Sequence, residues 1–228
     1  MKNLLFLHGA LASKSQFDEI RKALDASYIT HAINFSGHGG NLIPIQGLTF
    51  PTFAADILKY LDDNKIEKVN LLGFSMGGYA AIYFATKNPD RVEKIFTINT
   101  KFKWDPTSTA KETGMLDADK MMDKVPSYVE KLTILHGMNM WKNLLKSTSE
   151  MLINMAKEYV LTNEDLASIH QPTMLAIGDR DKTSSLEETL EIYRTMKNPQ
   201  LLVLPNTAHP FEKIDTDRLA FEIRKFVE

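Results

Sequence analysis

One stretch decides the fold of this chain: VNLLGFSMGG, residues 69–78. Its apolar run with a β-branched start predicts a buried strand over about 68–73, and a helical pattern begins at Met76. Ser75 lies at the break, with one glycine two places before it and another two places after it. This G-x-S-x-G spacing permits a strand-to-helix turn too sharp for bulky neighbours, so the Ser75 hydroxyl projects from the sheet. The Met76 N–H opens the helix, where backbone donors and the helix dipole favour negative charge.

Composition sets the broad class of protein. The chain has 228 residues, of which 43% are hydrophobic and 25% are charged, and this is typical of one well-buried globular domain. Its formal net charge of -2 gives no electrostatic reason to expect a nucleic-acid or anionic-membrane partner, and we predict neither. The chain has no cysteine, which excludes disulfides, thiolate metal sites and a cysteine nucleophile. The same absence is typical of the reducing cytoplasm, where we expect the protein to reside.

The N-terminus superficially resembles a secretion signal, because residues 1–12 combine a lysine, an apolar run and small residues. The apolar core, however, is only about four residues long and is cut by His8-Gly9, which is short of the usual length for a signal peptide. No apolar run in the chain approaches the length needed to span a bilayer. We therefore predict neither a signal peptide nor a membrane-spanning segment.

Most of the chain alternates between strand-like and helix-like segments. Buried strands are predicted at 4–7, 28–35, 68–73, 92–98, 172–177 and 201–204. Helices are predicted at about 15–24, 53–61, 76–87, 185–197 and 215–228. Residues 41–51 contain two prolines and a glycine and are predicted as a loop. This alternation predicts an α/β fold, with a mainly parallel six-stranded sheet and helices on both faces.

The alternation is interrupted between residues 102 and 166. This segment has no convincing strand, several helical patterns rich in methionine, and both tryptophans of the chain. We predict a helical cap (102–166) inserted into a core domain formed by 1–101 and 167–228. Methionine most often fills gaps in helix packing, but a soft apolar cap also suits a hydrophobic or acyl substrate. The substrate-contacting residues that we predict are Leu11, Trp104, Met138 and Trp141.

Polar side chains suited to one reaction follow the ends of four predicted strands. Ser75 follows the third strand, and His209 follows the sixth. The two acids of Gly178-Asp179-Arg180-Asp181 follow the fifth strand, and His8-Gly9-Ala10 follows the first. Functional side chains of an open α/β sheet gather at the carboxyl ends of its strands, so we expect these loops to meet at one edge.

These motifs resemble those of the α/β-hydrolase family along the whole chain. The resemblance rests on the order serine, acid, histidine and on His8-Gly9, Gly37-His38-Gly39, residues 73–78, the loop 178–181 and Ala208-His209. The chain departs from the family by starting at what is usually the third strand, without the two leading antiparallel strands. The resemblance implies the strand order 2-1-3-4-5-6 and places the cap in the family's lid position, between the fourth and fifth strands.

The resemblance also implies a catalytic triad. A serine hydroxyl needs a neighbouring base to become a nucleophile, which makes Ser75 the nucleophile and His209 the base. The family's acid usually falls on the second aspartate of such a loop, so Asp181 is favoured over Asp179. We expect Asp179 to cap a helix or to stabilise the loop. Asp105, just beyond the fourth strand, is a more distant alternative acid.

Two backbone groups and the remaining histidines complete the set of candidates. The N–H groups of Met76 and Ala10 are the expected oxyanion donors. We expect His38 to shape its glycine-rich turn and His8 to form hydrogen bonds within the loop after the first strand. The other histidines lie outside the family's motifs, and their scattered positions without paired acids favour no metal site and no cofactor. They are His31, His136 and His170.

These observations predict a carboxylesterase-like serine hydrolase that cleaves a small, apolar ester or thioester through an acyl-Ser75 intermediate. Its expected partner is a small-molecule acyl substrate, and its expected state is a monomer or homodimer. The same fold also serves lyases and carbon–carbon bond hydrolases, and residues 73–78 resemble the menaquinone-pathway synthase MenH. Tyr79, however, stands where that enzyme is expected to have arginine. A non-catalytic small-molecule-binding member is a third alternative.

Overall fold

The computed structural model describes residues 1–24, 26–158 and 160–228. In these residues, parallel strands form one six-stranded sheet in the order β2-β1-β3-β4-β5-β6. This confirms the predicted α/β fold and the strand order. The strands are β1 (Lys2–Leu7), β2 (Tyr28–Ile33), β3 (Val69–Phe74), β4 (Val92–Ile98), β5 (Thr173–Gly178) and β6 (Pro199–Leu204).

Helices cover both faces of the sheet. In chain order they are α1 (Asp18–Leu24), α2 (Phe50–Asp63), α3 (Met76–Lys87), α4 (Pro106–Thr113), α5 (Ala118–Lys124), α6 (Pro126–His136), α7 (Met140–Lys157), α8 (Asn163–Ser168), α9 (Leu186–Thr195) and α10 (Thr216–Val227). Helices α2, α3 and α9 contribute to one hydrophobic cluster, and α1 and α10 contribute to a second.

The central strands explain why the fold can be predicted from apolar runs. Every residue of β3 is buried, with Leu71 in the cluster of α2 and α3 and Leu72 in the cluster of α1 and α10. Successive side chains of a strand point to opposite faces, so a strand covered on both sides needs a continuous apolar run. Strand β5 is buried throughout in the same way.

The predicted start of the second helix, at about residue 53, is wrong by a few residues, and the cause is a proline. Helix α2 begins at Phe50, inside the segment 41–51 that was expected to be a loop. The Thr49 hydroxyl accepts a hydrogen bond from the Thr52 N–H and caps the helix, and Pro51 lies in the first turn. Proline breaks a helix interior but is tolerated in the first turn, where its missing N–H has no intrahelical partner to lose.

The inserted segment contributes helices α4 to α8 between β4 and β5. Its residues Leu132, Trp141 and Leu144 belong to the same hydrophobic cluster as Phe50 and Tyr79, which pack on the sheet. The division into a core domain and a cap therefore stays a prediction. None of the helices in the described ranges has the length and apolar character needed to cross a membrane.

Two glycines bring helix α3 unusually close to the sheet. A Cβ atom at Gly77 would lie 1.9 Å from the Leu7 carbonyl oxygen, and one at Gly73 would lie 2.3 Å from the Gly77 carbonyl oxygen. Both obstacles are backbone atoms, which cannot move aside as a flexible side chain can. The glycines of the opening motif are therefore required by the approach of α3 to β1 and β3.

We predict that Gly77→Ala lowers the free energy of unfolding by more than about 3 kcal/mol, because the added methyl group forces α3 away from β1. Gly47→Ala is the matched control. Its φ of 82° disfavours alanine, but no heavy atom lies within 4 Å of the added Cβ, so the expected loss is about 1 kcal/mol. Urea unfolding measures both, and equal losses in the two variants would contradict the steric explanation.

Candidate active site

The site is built around the turn that joins β3 to α3. Ser75 has a φ of 51° and a ψ of -117°, in the positive-φ region that non-glycine residues rarely occupy. Its N–H donates to the Ile98 carbonyl at 2.8 Å, which ties the turn to the end of β4. Such a strained conformation persists only when the surroundings hold it, and here Gly73 and Gly77 permit the close packing that does so.

His209 connects Ser75 to a buried acid. Its Nε2 lies 3.2 Å from the Ser75 Oγ, and its Nδ1 lies 2.7 Å from the Asp181 Oδ2. The Asp181 side chain is 0% exposed, and its other oxygen accepts the backbone N–H groups of Thr183 and Ser184. An ionised carboxylate only accepts hydrogen bonds, so Nδ1 bears the proton and Nε2 is left to accept the serine hydroxyl.

The other two candidate acids form different contacts. The Asp179 carboxylate accepts the Thr207 N–H at 3.1 Å, and backbone N–H groups of Asn206 and Thr207 hold the pKa of Asp179 below its usual value. Asp105 caps helix α4 by accepting the Thr107 and Ser108 N–H groups. The structure thus brings Asp181 to His209, while Asp179 stabilises the loop after β6 and Asp105 caps a helix.

Asn99, which the sequence analysis missed, organises the loops that present the acid and the histidine. It is 0% exposed, and its side-chain oxygen accepts the Gly178 N–H at 2.8 Å. Its side-chain amide donates to the His209 carbonyl at 3.1 Å, and its own carbonyl accepts the Ser184 hydroxyl at 3.0 Å. The φ of Asn99 is 49°, a conformation that asparagine adopts more readily than most residues. An asparagine directly after a predicted strand was therefore the sequence signal that could have identified this residue.

The expected oxyanion donors lie next to the serine. Met76 begins α3, and Ala10 lies in the turn after β1 that is closed by a hydrogen bond from the Ala12 N–H to the Gly9 carbonyl at 3.2 Å. Both residues line the same cavity as Ser75. The structure therefore places Ala10, Met76 and the serine around one space, and the role of the two N–H groups stays a prediction.

That cavity has a volume of about 670 Å³. Leu11 and Trp104 line it, but the two other predicted substrate contacts do not. Met138 lies in the turn before α7 and is 77% exposed, and Trp141 is buried in the hydrophobic cluster on the inner face of α7. The structure therefore does not bring Met138 or Trp141 to the cavity, because their positions depend on how the inserted helices pack, which residue type alone does not specify.

One face of α7 provides the cavity contacts that were missed. Thr148, Met151, Leu152 and Met155 all line the cavity. Their spacing of three, four and seven residues is the pattern of one helix face, so periodicity was the available signal. The remaining wall is largely apolar, with Phe50, Tyr79 and Met115 among its residues.

No cluster of histidine, cysteine or acidic side chains in the described part of the chain is arranged to hold a metal ion.

Two buried histidines lie behind the site. The Phe35 N–H donates to the His8 Nε2 at 3.1 Å, so Nδ1 bears the proton and donates to the Gly9 carbonyl at 2.8 Å. His38 donates from Nδ1 to the Ser36 carbonyl at 3.0 Å. Burial lowers the pKa of His8 to about 4 and the pKa of His38 well below its usual value. Both side chains therefore shape their loops as neutral imidazoles.

This geometry agrees with a comparison against known families. The alpha/beta hydrolase fold model matches residues 2–157, and the chain belongs to that family. Among curated relatives, an sn-1-specific diacylglycerol lipase of Xenopus tropicalis is 25% identical over 209 residues, which is 91% of this chain and 59% of that protein. The chain therefore spans about three fifths of the length of that relative.

Two further relatives show the breadth of the family. A Bacillus subtilis protein, provisionally named 2-succinyl-6-hydroxy-2,4-cyclohexadiene-1-carboxylate synthase, is 33% identical over 96 residues, or 41% of this chain and 35% of that protein. An esterase of Thermogutta terrifontis has the same fold, with a TM-score of 0.79 at 20% identity over 100% of this chain and 89% of that one. The comparisons support a hydrolase-superfamily enzyme.

We predict that the free energy of unfolding falls by about 2 kcal/mol between pH 7 and pH 5 through His8 alone. Burial lowers the pKa of folded His8 to about 4 from 6.5. The unfolded state therefore binds more protons in this window, and stability falls as pH falls. Urea unfolding across the window measures the effect. A constant free energy of unfolding would contradict the prediction.

Proposed function

We propose that this protein is a serine hydrolase that cleaves an apolar carboxylic ester or thioester through an acyl-Ser75 intermediate. The proposal rests on one observation, the hydrogen-bonded series Asp181–His209–Ser75 at the wall of a largely apolar cavity. A serine hydroxyl is a weak nucleophile until a base accepts its proton, and the His209 Nε2 is 3.2 Å from the hydroxyl oxygen.

In the first half of the reaction, the Ser75 Oγ attacks the substrate carbonyl carbon while its proton moves to the His209 Nε2. The buried Asp181 carboxylate holds the imidazole orientation and stabilises the imidazolium that forms. The bond to the leaving oxygen or sulfur then breaks, and the leaving group takes the proton from Nε2. Water repeats the sequence on the acyl-enzyme, which releases the acid and returns the proton to Ser75.

Negative charge develops on the substrate oxygen during both attacks. The Met76 N–H stands at the start of α3, where the helix dipole favours negative charge, and Ala10 provides the second donor. A preorganised donor of this kind contributes about 3 kcal/mol to lowering the barrier. We assign the oxyanion site to these two N–H groups.

The cavity wall supports the substrate class. Its apolar side chains favour an alkyl or acyl chain, and unbranched methionines such as Met151 and Met155 adapt to chains of different shape. The esterase and lipase names of the relatives point to the same chemistry.

A lyase or a carbon–carbon bond hydrolase of the same fold is the second candidate, and the Bacillus subtilis relative is what favours it. That protein's named product is a carboxylate, whereas this cavity offers little free positive charge. The two lining lysines, Lys101 and Lys131, are paired with Glu188 and Glu212. Burial raises the pKa of Tyr79, so its hydroxyl stays neutral. Ester cleavage is therefore the function that we propose first.

We predict that Ser75→Ala lowers kcat/KM for p-nitrophenyl esters, from acetate to laurate, by at least about 10³-fold, because the nucleophile is removed. A fluorophosphonate probe should form a covalent adduct with the wild type and none with the variant, as read by intact-protein mass. Ser168→Ala, an exposed serine at the end of α8, is the control and should match the wild type. Equal rates in wild type and Ser75→Ala would remove the proposed nucleophile.

A second pair of variants separates the two loop acids. Asp181→Asn should lower kcat by about 10³-fold or more, because the amide no longer favours the required histidine tautomer. Asp179→Asn keeps an oxygen that can accept the Thr207 N–H and should stay within about threefold of the wild type. Steady-state kinetics on the same esters measures both. A larger loss in Asp179→Asn than in Asp181→Asn would reverse the assignment.

A further inference from the structure

His136 is a buried histidine that the proposed triad does not use. It is the last residue of α6, in the inserted segment, and is 1% exposed. The Gly39 N–H donates to its Nδ1 at 3.0 Å. A backbone amide can only donate, so the His136 proton lies on Nε2, which donates to the Leu11 carbonyl at 3.1 Å. The side chain thus joins α6 to the loops after β1 and β2.

The loop after β1 holds the proposed oxyanion donor, and hydrogen bonds fix its peptide groups. The Gly9 carbonyl accepts both the His8 Nδ1–H at 2.8 Å and the Ala12 N–H at 3.2 Å. The Gly9 N–H donates to the Gln16 side-chain oxygen at 3.1 Å. Because a peptide group is planar, fixing the Gly9 carbonyl also fixes the direction of the Ala10 N–H.

The other half of the same turn depends on His136. Leu11 has a φ of 58°, a left-handed conformation that is strained for a leucine and persists only when it is held. Its carbonyl belongs to the Leu11–Ala12 peptide group, whose N–H closes the turn onto Gly9. The His136 bond therefore holds the peptide group that keeps the turn, and Ala10 within it, in this conformation.

We propose that His136 is a positioning residue for the oxyanion site, and that it acts through the Leu11 carbonyl to hold the Ala10 N–H in place. The inference rests on the proposed function, because it assigns a task to the Ala10 N–H in ester cleavage. In this proposal a residue of the inserted helices supports a reaction whose other groups all lie at the edge of the sheet. A histidine that served only to pack α6 would affect stability but not the transition state selectively.

Two substitutions separate the two hydrogen bonds of the ring. In His136→Gln the amide nitrogen lies near the position of Nε2 and can still donate to Leu11, whereas in His136→Asn the shorter side chain reaches only the Gly39 N–H. We expect His136→Asn to lower kcat by about tenfold or more with KM within about twofold, since a displaced oxyanion donor is lost only in the transition state. His136→Gln should stay within about threefold of the wild type.

The affinity for a trifluoromethyl ketone distinguishes a role in positioning the oxyanion donor from a role in packing alone. This inhibitor forms an oxyanion at Ser75, so its affinity should fall in His136→Asn by the same factor as kcat/KM. The affinity for the alcohol product of an alkyl ester, which presents no negative oxygen to the oxyanion donors, should stay unchanged. His136→Phe, which keeps the ring volume and loses both hydrogen bonds, is the second variant if His136→Asn does not fold, and the same selective loss is expected.

The outcomes distinguish the inference from the proposed function. If wild-type ester cleavage does not depend on Ser75, the proposed function fails. If cleavage depends on Ser75 but His136→Asn and His136→Gln are equally active or equally impaired, only the role of His136 is overturned. A fall in inhibitor and product affinity by the same factor would also overturn it, because that result indicates a general loss of pocket structure.

Discussion

The sharp turn at Ser75 is the constraint on which the rest of the site depends. Ser75 adopts its positive φ because Gly73 and Gly77 let α3 lie directly against β1 and β3. The same close packing brings the loop after β1 to the serine, since a Cβ on Gly9 would lie 3.5 Å from the Ser75 Cβ. Tight backbone packing therefore positions both the candidate nucleophile and the loop that holds the Ala10 N–H. A strained residue of this kind persists when its surroundings determine it fully.

The acid and the histidine reach the serine through a second backbone framework at the neighbouring strand ends. The Asn99 side chain accepts the N–H of Gly178, which begins the loop that contains Asp181, and it donates to the His209 carbonyl. The Asn99 backbone carbonyl accepts the Ser184 hydroxyl. Ser184 in turn donates its N–H to the Asp181 carboxylate. The loops after β4, β5 and β6 are thus joined by hydrogen bonds, and those from Gly178 and Ser184 to Asn99 are buried from water, which favours one fixed geometry.

The inserted helices contribute the cavity wall and a contact to the loop after β1. They form much of the cavity wall, through the face of α7 that includes Met151 and Met155, and through His136 they also contact the loop after β1. In the proposed function, the groups that react lie at the edge of the sheet, and the inserted helices supply much of the wall that would contact the substrate.

The strand order was implied by the resemblance to the α/β-hydrolase family, and the sequence by itself determined the α/β fold and a short set of strand-end residues that includes Ser75, Asp181 and His209. It did so because strands buried on both faces require apolar runs, and because parallel strands place their carboxyl ends at one edge. Only the tertiary structure decided the substrate wall, where Met138 is exposed and Trp141 is buried away from the cavity. It alone identified Asn99 and the contact of His136 with Leu11. These features arise from packing between segments far apart in the chain, so a local pattern can mark a residue as a candidate but does not specify its partner.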